Sequence, residues 1–159
     1  MAPLRDKILT RAALLEAAAG WRAAGGRLVL ANGCFDILHV GHARYLEAAR
    51  ALGTHLIVAV NSDRSTQALK GPGRPVLPEQ ARAELVAGLR AVTAVTIFDE
   101  LSVEPLLRAL RPHVHAKGTD YTAASVPEAA VARELGIEVA IVGDAKAHST
   151  AALLERLRS

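Results

Sequence analysis

Aromatic residues are nearly absent from this chain: they make up 3% of 159 residues, although 51% are hydrophobic. A core with so few rings must be filled by Ala, Leu, Val and Ile, which suits helices packed on a parallel sheet buried on both faces. There is one cysteine, Cys34, so an internal disulfide framework is excluded and a reducing, cytoplasmic setting is expected. No apolar run is long enough to span a bilayer. The segment from Met1 to Arg11 is charged and lacks the apolar stretch and small-residue cleavage site of a signal peptide. A basic arm, an RNP-type aromatic motif and zinc-finger spacing are missing too, so nucleic acid is not an expected partner. The net charge of +3 instead fits a protein that handles phosphorylated small molecules.

Repeats, low-complexity tracts and Pro/Ser linkers are also lacking, and the length suits one domain over 1–159, with an N-terminal helical segment to about residue 26. Apolar runs predict strands at Leu28–Ala31, Leu56–Val60, Val95–Phe98, Val114–Ala116 and Val139–Val142. Helical patterns fall between them, at Arg11–Ala24, Ala43–Leu52, Glu79–Leu89, Val103–Leu110 and Pro127–Leu135, with a last helix from Thr150. Thr10, Ser102 and Ser149 are placed to cap helix starts, and Gly25-Gly26, Gly53 and Gly136 to end helices. This alternation predicts an α/β fold: a Rossmann-like, doubly wound parallel sheet of about five strands with helices on both faces. Ligands of such sheets bind beyond the carboxyl ends of the strands, where the strand order reverses. The unusual polar residues of this chain concentrate in the segments that follow the predicted strands.

After the first strand the chain reads Asn32-Gly33-Cys34-Phe35-Asp36-Ile37-Leu38-His39-Val40-Gly41-His42. Gly33 allows close backbone approach to a ligand. His39 and His42, three apart, project to one side of a helical turn, and Gly41 keeps that surface open. A helix N-terminus favours an anion, and two imidazoles above it can donate hydrogen bonds to phosphoryl oxygens. Such help suits phosphoryl and nucleotidyl transfer, where catalysis is mostly positioning and charge stabilisation. Two alternatives stand beside this: an ordinary pair of surface histidines, and metal chelation by Cys34, His39 and His42 with Asp36. No metal site is assigned, because a fourth-ligand cluster of recognised spacing is missing.

Further along, Lys70-Gly71-Pro72-Gly73-Arg74-Pro75 carries two cations in a predicted loop that is either a solvated turn or a cover for a triphosphate. It is not a Walker A loop. Lys117-Gly118-Thr119-Asp120-Tyr121 follows the fourth strand, and Lys117 there calls for a partner such as phosphate. Ser149 and Thr150 open the last helix, as caps, as an anion site, or as both.

The string Asn32–His42 resembles the HxGH signature of the cytidylyltransferase-like nucleotidyltransferases. That resemblance implies in-line attack of a substrate phosphate oxygen on the α-phosphorus of a nucleoside triphosphate, with Mg²⁺ accompanying the nucleotide and pyrophosphate leaving. The order of Trp21–Gly25, Asn32–His42, Val60–Ser65, Lys70–Pro75, Arg82, Phe98–Glu100, Leu110–Pro112, Lys117–Tyr121 and His148–Thr150 resembles, more narrowly, the adenylyltransferase domain of heptose 1-phosphate adenylyltransferases. It implies AMP transfer from ATP to D-glycero-β-D-manno-heptose 1-phosphate, giving ADP-heptose for the lipopolysaccharide core. It also implies a homodimer and, since 159 residues leave no room for a sugar kinase, a separate heptose kinase upstream.

On this basis His39, His42 and Lys70 are the candidate catalytic residues. Asn32, Gly33, Cys34, Phe35, Gly41, Arg74, Lys117, Gly118, Asp120, Ser149 and Thr150 are expected at the nucleotide. Asp36, Asn61, Asp63 and Arg82 are expected at the sugar phosphate, with Asp36 alternatively fixing the turn. The chain departs from the family pattern at Thr119, where Gly is usual, at Ala151, where Thr is usual, and at His113 and His115, where apolar residues are typical; both histidines are read as structural. A cytidylyltransferase acting on glycerol 3-phosphate or another alcohol phosphate, and a non-catalytic nucleotide sensor, share the same motif. A dinucleotide-dependent oxidoreductase does not fit, because Gly-x-Gly-x-x-Gly is missing from the first turn.

Overall fold

The computed structural model describes residues 2–145 and 148–159. After a short 3₁₀ turn at Leu4–Lys7 come α1 (Arg11–Ala23), β1 (Leu28–Gly33), α2 (Val40–Arg50), β2 (His55–Asn61), α3 (Asp63–Lys70) and α4 (Glu79–Ala87). They are followed by β3 (Ala94–Phe98), α5 (Glu104–Leu110), β4 (Val114–Lys117), α6 (Ala129–Leu135), β5 (Glu138–Ile141) and α7 (Thr150–Arg158). The five strands pair in parallel in the order β3-β2-β1-β4-β5. The order reverses between β1 and β4, which sets the ligand crevice at their carboxyl ends.

Strand alternation splits the apolar residues into two cores. Leu28, Leu30, Ile57 and Ala59 face one way and join Leu14 and Ala18 of α1, Leu106, Leu107 and Leu110 of α5, and Val131 and Ala132 of α6. Val29, Ala31, Leu56, Val58 and Val60 face the other way, against Leu46 and Ala49 of α2 and Ala83, Val86 and Ala87 of α4. Both faces are covered, as the long apolar runs require. Among the described residues no helix is long and apolar enough to cross a membrane.

Thr10 and Ser149 cap α1 and α7 as expected, accepting from Ala13 N and Ala152 N. Gly136 ends α6 in the left-handed conformation, φ 70°. Other boundaries differ from expectation. Helix α2 begins at Val40, not Ala43, because the histidine motif itself forms its first turn. It ends at Arg50 with Ala51 as cap, so Gly53 lies in the following turn. The N-cap of α5 is Val103; Ser102 still contributes, accepting from Glu104 N at 3.2 Å. Helix α3 was not anticipated. Its sequence, Asp-Arg-Ser-Thr-Gln-Ala-Leu-Lys, offers little apolar periodicity, and the side it buries carries the hydroxyls of Ser65 and Thr66. Lys70 therefore closes a helix instead of riding in a loop.

Candidate active site

The strand ends enclose a cavity of about 890 Å³ whose wall is built from segments after all five strands. Its centre is the turn between β1 and α2. His39 is the N-cap of α2, and its Nδ1 accepts the Gly41 N–H at 3.1 Å. His42 reaches back, and its Nδ1 accepts the His39 N–H at 3.2 Å. This is a capping box made of two imidazoles. A ring nitrogen that accepts from an amide carries no hydrogen, so each neutral ring holds its proton on Nε2. The rings stack with centroids 3.9 Å apart, which sets two imidazoles side by side in the wall. Gly41 is needed for a closer reason than an open surface. A Cβ there would stand 2.8 Å from His39 Cε1 and 2.9 Å from Nδ1.

Phe35 tilts against His42 at 5.4 Å and packs beneath the turn, while His148 lies 6.3 Å from His39 between centroids. The Thr150 hydroxyl donates to Asp36 O at 2.6 Å, tying the start of α7 to the same turn. Ser149 Oγ is engaged as the α7 cap.

Asp36 is 2% exposed and does not meet the cavity as a free acid. It accepts from Arg74 Nε (2.9 Å), Val76 N (2.8 Å) and Leu77 N (3.0 Å). Burial would raise its pKa, but those three bonds and the Arg74 charge outweigh it and hold the carboxyl below the usual range. Of its two anticipated roles, fixing the turn is the one this geometry supports. Arg82 is fully buried, donating to Leu77 O, Cys34 O and Asn61 O and pairing with Asp63 at 2.9 Å. Arg82, expected at the sugar phosphate, is therefore committed to an internal clamp that joins the ends of β1 and β2, with the half-exposed Asp63 as its charged partner. Asn61 is also buried, donating to Ser65 Oγ at 3.2 Å, although it reaches the cavity wall.

At the β4 end, Lys117 is 7% exposed and its Nζ lies 4.7 Å above the Tyr121 ring. Burial pushes its pKa down, and the nearby Glu128 charge offsets part of that. Tyr45 lies three residues after His42 on the same side of α2. It donates to Ala116 O at 2.6 Å, and burial raises its pKa. His113 Nδ1 accepts the Leu28 N–H at 2.9 Å, a structural tie between β4 and β1. Thr119 Oγ1 donates to Asp144 O at 2.8 Å, bridging the turns after β4 and β5.

With this geometry, the match of residues 30–153 to the cytidylyltransferase-like family model decides the assignment. The chain belongs to the cytidylyltransferase-like family. It is 46% identical over 154 residues to the bifunctional protein HldE of Methylobacillus flagellatus, covering 97% of this chain and 32% of that protein. It is 47% identical over 150 residues to the HldE of Koribacter versatilis, covering 94% of this chain and 31% of that one. The chain thus spans about a third of the length of these relatives. Among solved structures, the lipopolysaccharide core biosynthesis protein of Thermoplasma volcanium GSS1 superposes with a TM-score of 0.62 at 31% identity. That match covers 78% of this chain and all of the other.

This cytidylyltransferase-like fold gathers the sequence candidates unevenly. Asn32, Gly33, Cys34, Phe35, His39, Gly41 and His42 line the cavity from the β1 turn, and Lys70 and Arg74 from the segment after β2. Lys117, Gly118 and Asp120 line it after β4, and Ser149 and Thr150 at the start of α7. Asp63 and Arg82 do not line it, and Arg82 is fully buried. Sequence reasoning missed Tyr45 and Glu128. The helical step from His42 pointed to Tyr45, whereas nothing in the local pattern marked Glu128, a 5% exposed acid in the wall.

Proposed function

We propose that the chain transfers AMP from ATP to D-glycero-β-D-manno-heptose 1-phosphate, giving ADP-heptose and pyrophosphate. The observation that carries the transfer chemistry is the pair of stacked imidazoles in the cavity wall, each held at Nδ1 by the α2 cap. An oxygen of the sugar phosphate attacks the α-phosphorus, the bond to the bridging oxygen breaks, and pyrophosphate leaves with that electron pair. His39 and His42 donate to the phosphoryl oxygens as charge builds in the transition state. Lys70 and Arg74, from one side, and Lys117, from the other, compensate the charge of the phosphates. Asn32, Gly33, Cys34, Phe35, Gly41, Gly118, Asp120, Ser149 and Thr150 shape the nucleotide's surroundings.

Mg²⁺ bound with ATP would supply charge neutralisation on the leaving pyrophosphate, a role that asks for few ligands from the protein itself. The choice of heptose rests on the near full-length similarity to HldE proteins and the ordered motifs that follow the histidines. Under the same assignment a heptose kinase activity supplies the sugar 1-phosphate, and the protein works as a homodimer.

The deciding experiment mixes the protein with Mg²⁺, either ATP or CTP, and a panel of sugar and alcohol phosphates, and follows pyrophosphate. ATP-selective release with the heptose 1-phosphate is expected. Preference for CTP with glycerol 3-phosphate would replace the assignment by a cytidylyltransferase, and silence on every pair would leave a nucleotide sensor.

A further inference from the structure

A fully buried imidazole stands directly behind the cavity wall. His115 is the second residue of β4, in register with Leu30 of β1 and Val139 of β5, and none of its surface reaches solvent. Its Nε2 lies 2.8 Å from Oδ1 of Asn32, two residues beyond Leu30 on β1 and part of the cavity wall. Its Nδ1 is buried and has no hydrogen-bond partner among the described residues.

With the amide so oriented, the Asn32 contact sets the proton. Oδ1 can only accept, so Nε2 must carry the hydrogen, and the orphan Nδ1 is a bare acceptor. Reversing the amide would strand a buried N–H at Nδ1 instead, exchanging an orphan acceptor for an orphan donor. Burial, and secondarily the Lys117 cation, push the imidazole pKa down to about 3, so the ring stays neutral near pH 7 and has one proton to give. With Oδ1 committed to the buried side, the Asn32 carboxamide has only its Nδ2–H donors left for a ligand.

We propose that His115 is a positioning residue, which holds the Asn32 carboxamide so that Nδ2 faces the cavity and donates to a phosphate oxygen of the bound nucleotide. The inference rests on the nucleotidyltransferase assignment for its ligand class but not for its sugar. It gives a polar residue in a largely apolar sheet a purpose, and it makes the end of β1 a third donor beside the two histidines. Packing alone would ask only for a side chain of similar volume; holding the amide asks for a donor at Nε2.

Two measurements test it. In protein labelled with ¹⁵N-histidine, two-bond correlations at pH 7 should report His115 as the Nε2–H tautomer, with Nδ1 unprotonated; the Nδ1–H tautomer overturns the proposal. Calorimetric titration with ATP and Mg²⁺ then follows His115→Leu, His115→Gln, Asn32→Ala and the pair His115→Leu with Asn32→Ala. His115→Leu should weaken ATP binding about tenfold, the scale of one hydrogen bond to a charged acceptor. His115→Gln, which can still donate to Oδ1, should recover most of that loss. The double variant should bind no more weakly than Asn32→Ala alone. Equal affinities for parent and His115→Leu, or losses that add in the double variant, overturn the proposal. The Gln variant keeps the comparison available should His115→Leu fail to fold. ATP binding without pyrophosphate release would count against the transfer reaction alone, and the wrong tautomer against this inference alone.

Discussion

Arg74 and Asp36 form an ion pair in which the carboxylate is wholly shielded and the guanidinium side chain is 18% exposed, with Nε 2.9 Å from Oδ2. The acid of the motif after β1 thereby anchors the segment after α3, which brings Arg74 to the cavity. Two backbone amides, of Val76 and Leu77, complete the anchor. One residue thus couples the turn that carries the histidines to the cation on the opposite wall.

Acid should release this anchor. The Asp36 pKa is held below the usual carboxylate range in the folded protein, so the unfolded chain protonates first as pH falls. Its contribution is complete above the unfolded carboxylate pKa and is lost as pH falls through the depressed folded value. Asp36→Asn leaves a buried guanidinium partner uncompensated and should cost about 3 kcal/mol at pH 7. Urea unfolding at a series of pH values should show that difference shrinking toward pH 3. A difference independent of pH would mean that the pair does not carry the stability.

Arg82 offers a test that separates scaffold from substrate. Its guanidinium spans four acceptors on three segments, a reach that the single ammonium of lysine does not reproduce. Arg82→Lys is expected to lose about 3 kcal/mol of stability in denaturant unfolding. Where the variant is folded, KM for the sugar phosphate should stay near the parental value. Unchanged stability with a raised KM would return Arg82 to the substrate.

The sheet and the crevice were legible in the sequence because Leu28–Ala31, Leu56–Val60 and their counterparts are apolar but for Thr96 and His115, as expected of strands buried on both faces. Helix α3 was illegible for the opposite reason: Ser65 and Thr66 fill buried positions, and no apolar stripe announces them. The histidines, the glycine between them and Lys117 could be placed at the cavity from chain order alone. What side chains do with their polar atoms could not. Asp36 and Arg82 carry charges in motif positions, which suggests ligand contact, yet their partners are backbone atoms and one opposite charge each, Arg74 and Asp63, brought close only by folding. His115 reads as a structural residue in the sequence, and its contact with Asn32 of the cavity wall could not be seen there.

Gly41 makes the capping box falsifiable on its own. Gly41→Ala places a methyl where the His39 ring now sits, at 2.8 Å from Cε1, so the ring must leave its bond with the residue 41 amide. The lost cap costs about 1 kcal/mol, and the gain in helix propensity from glycine to alanine returns a similar amount. The melting temperature should therefore hardly move. Turnover should fall about a hundredfold, as should that of His39→Ala and His42→Ala, because a transition-state donor is lost or displaced. Pyrophosphate release beside thermal unfolding checks both halves, and near-parental turnover in Gly41→Ala would remove the ring geometry from the mechanism.

Lys117 should behave in the reverse sense to Asp36. Its pKa is lowered by burial, so between the folded value and the ordinary lysine value the unfolded chain binds the extra proton. Stability therefore rises with pH through that window, and at pH 7 the buried ammonium is a cost to the fold. The Tyr121 ring and the Glu128 charge offset it only in part. Lys117→Met keeps the aliphatic stem and removes the charge, so the variant should be at least as stable as the parent at pH 7. Its advantage should shrink as pH approaches 10. A cation kept at such a cost in the cavity wall is explained by phosphate, so ATP affinity should fall about tenfold or more, the scale of a lost charge-assisted hydrogen bond. Chemical unfolding at pH 7 and 10 with calorimetric ATP titration tests the pair of effects. A less stable variant that binds ATP normally would make Lys117 a structural residue and leave the charge of the phosphates to Lys70 and Arg74.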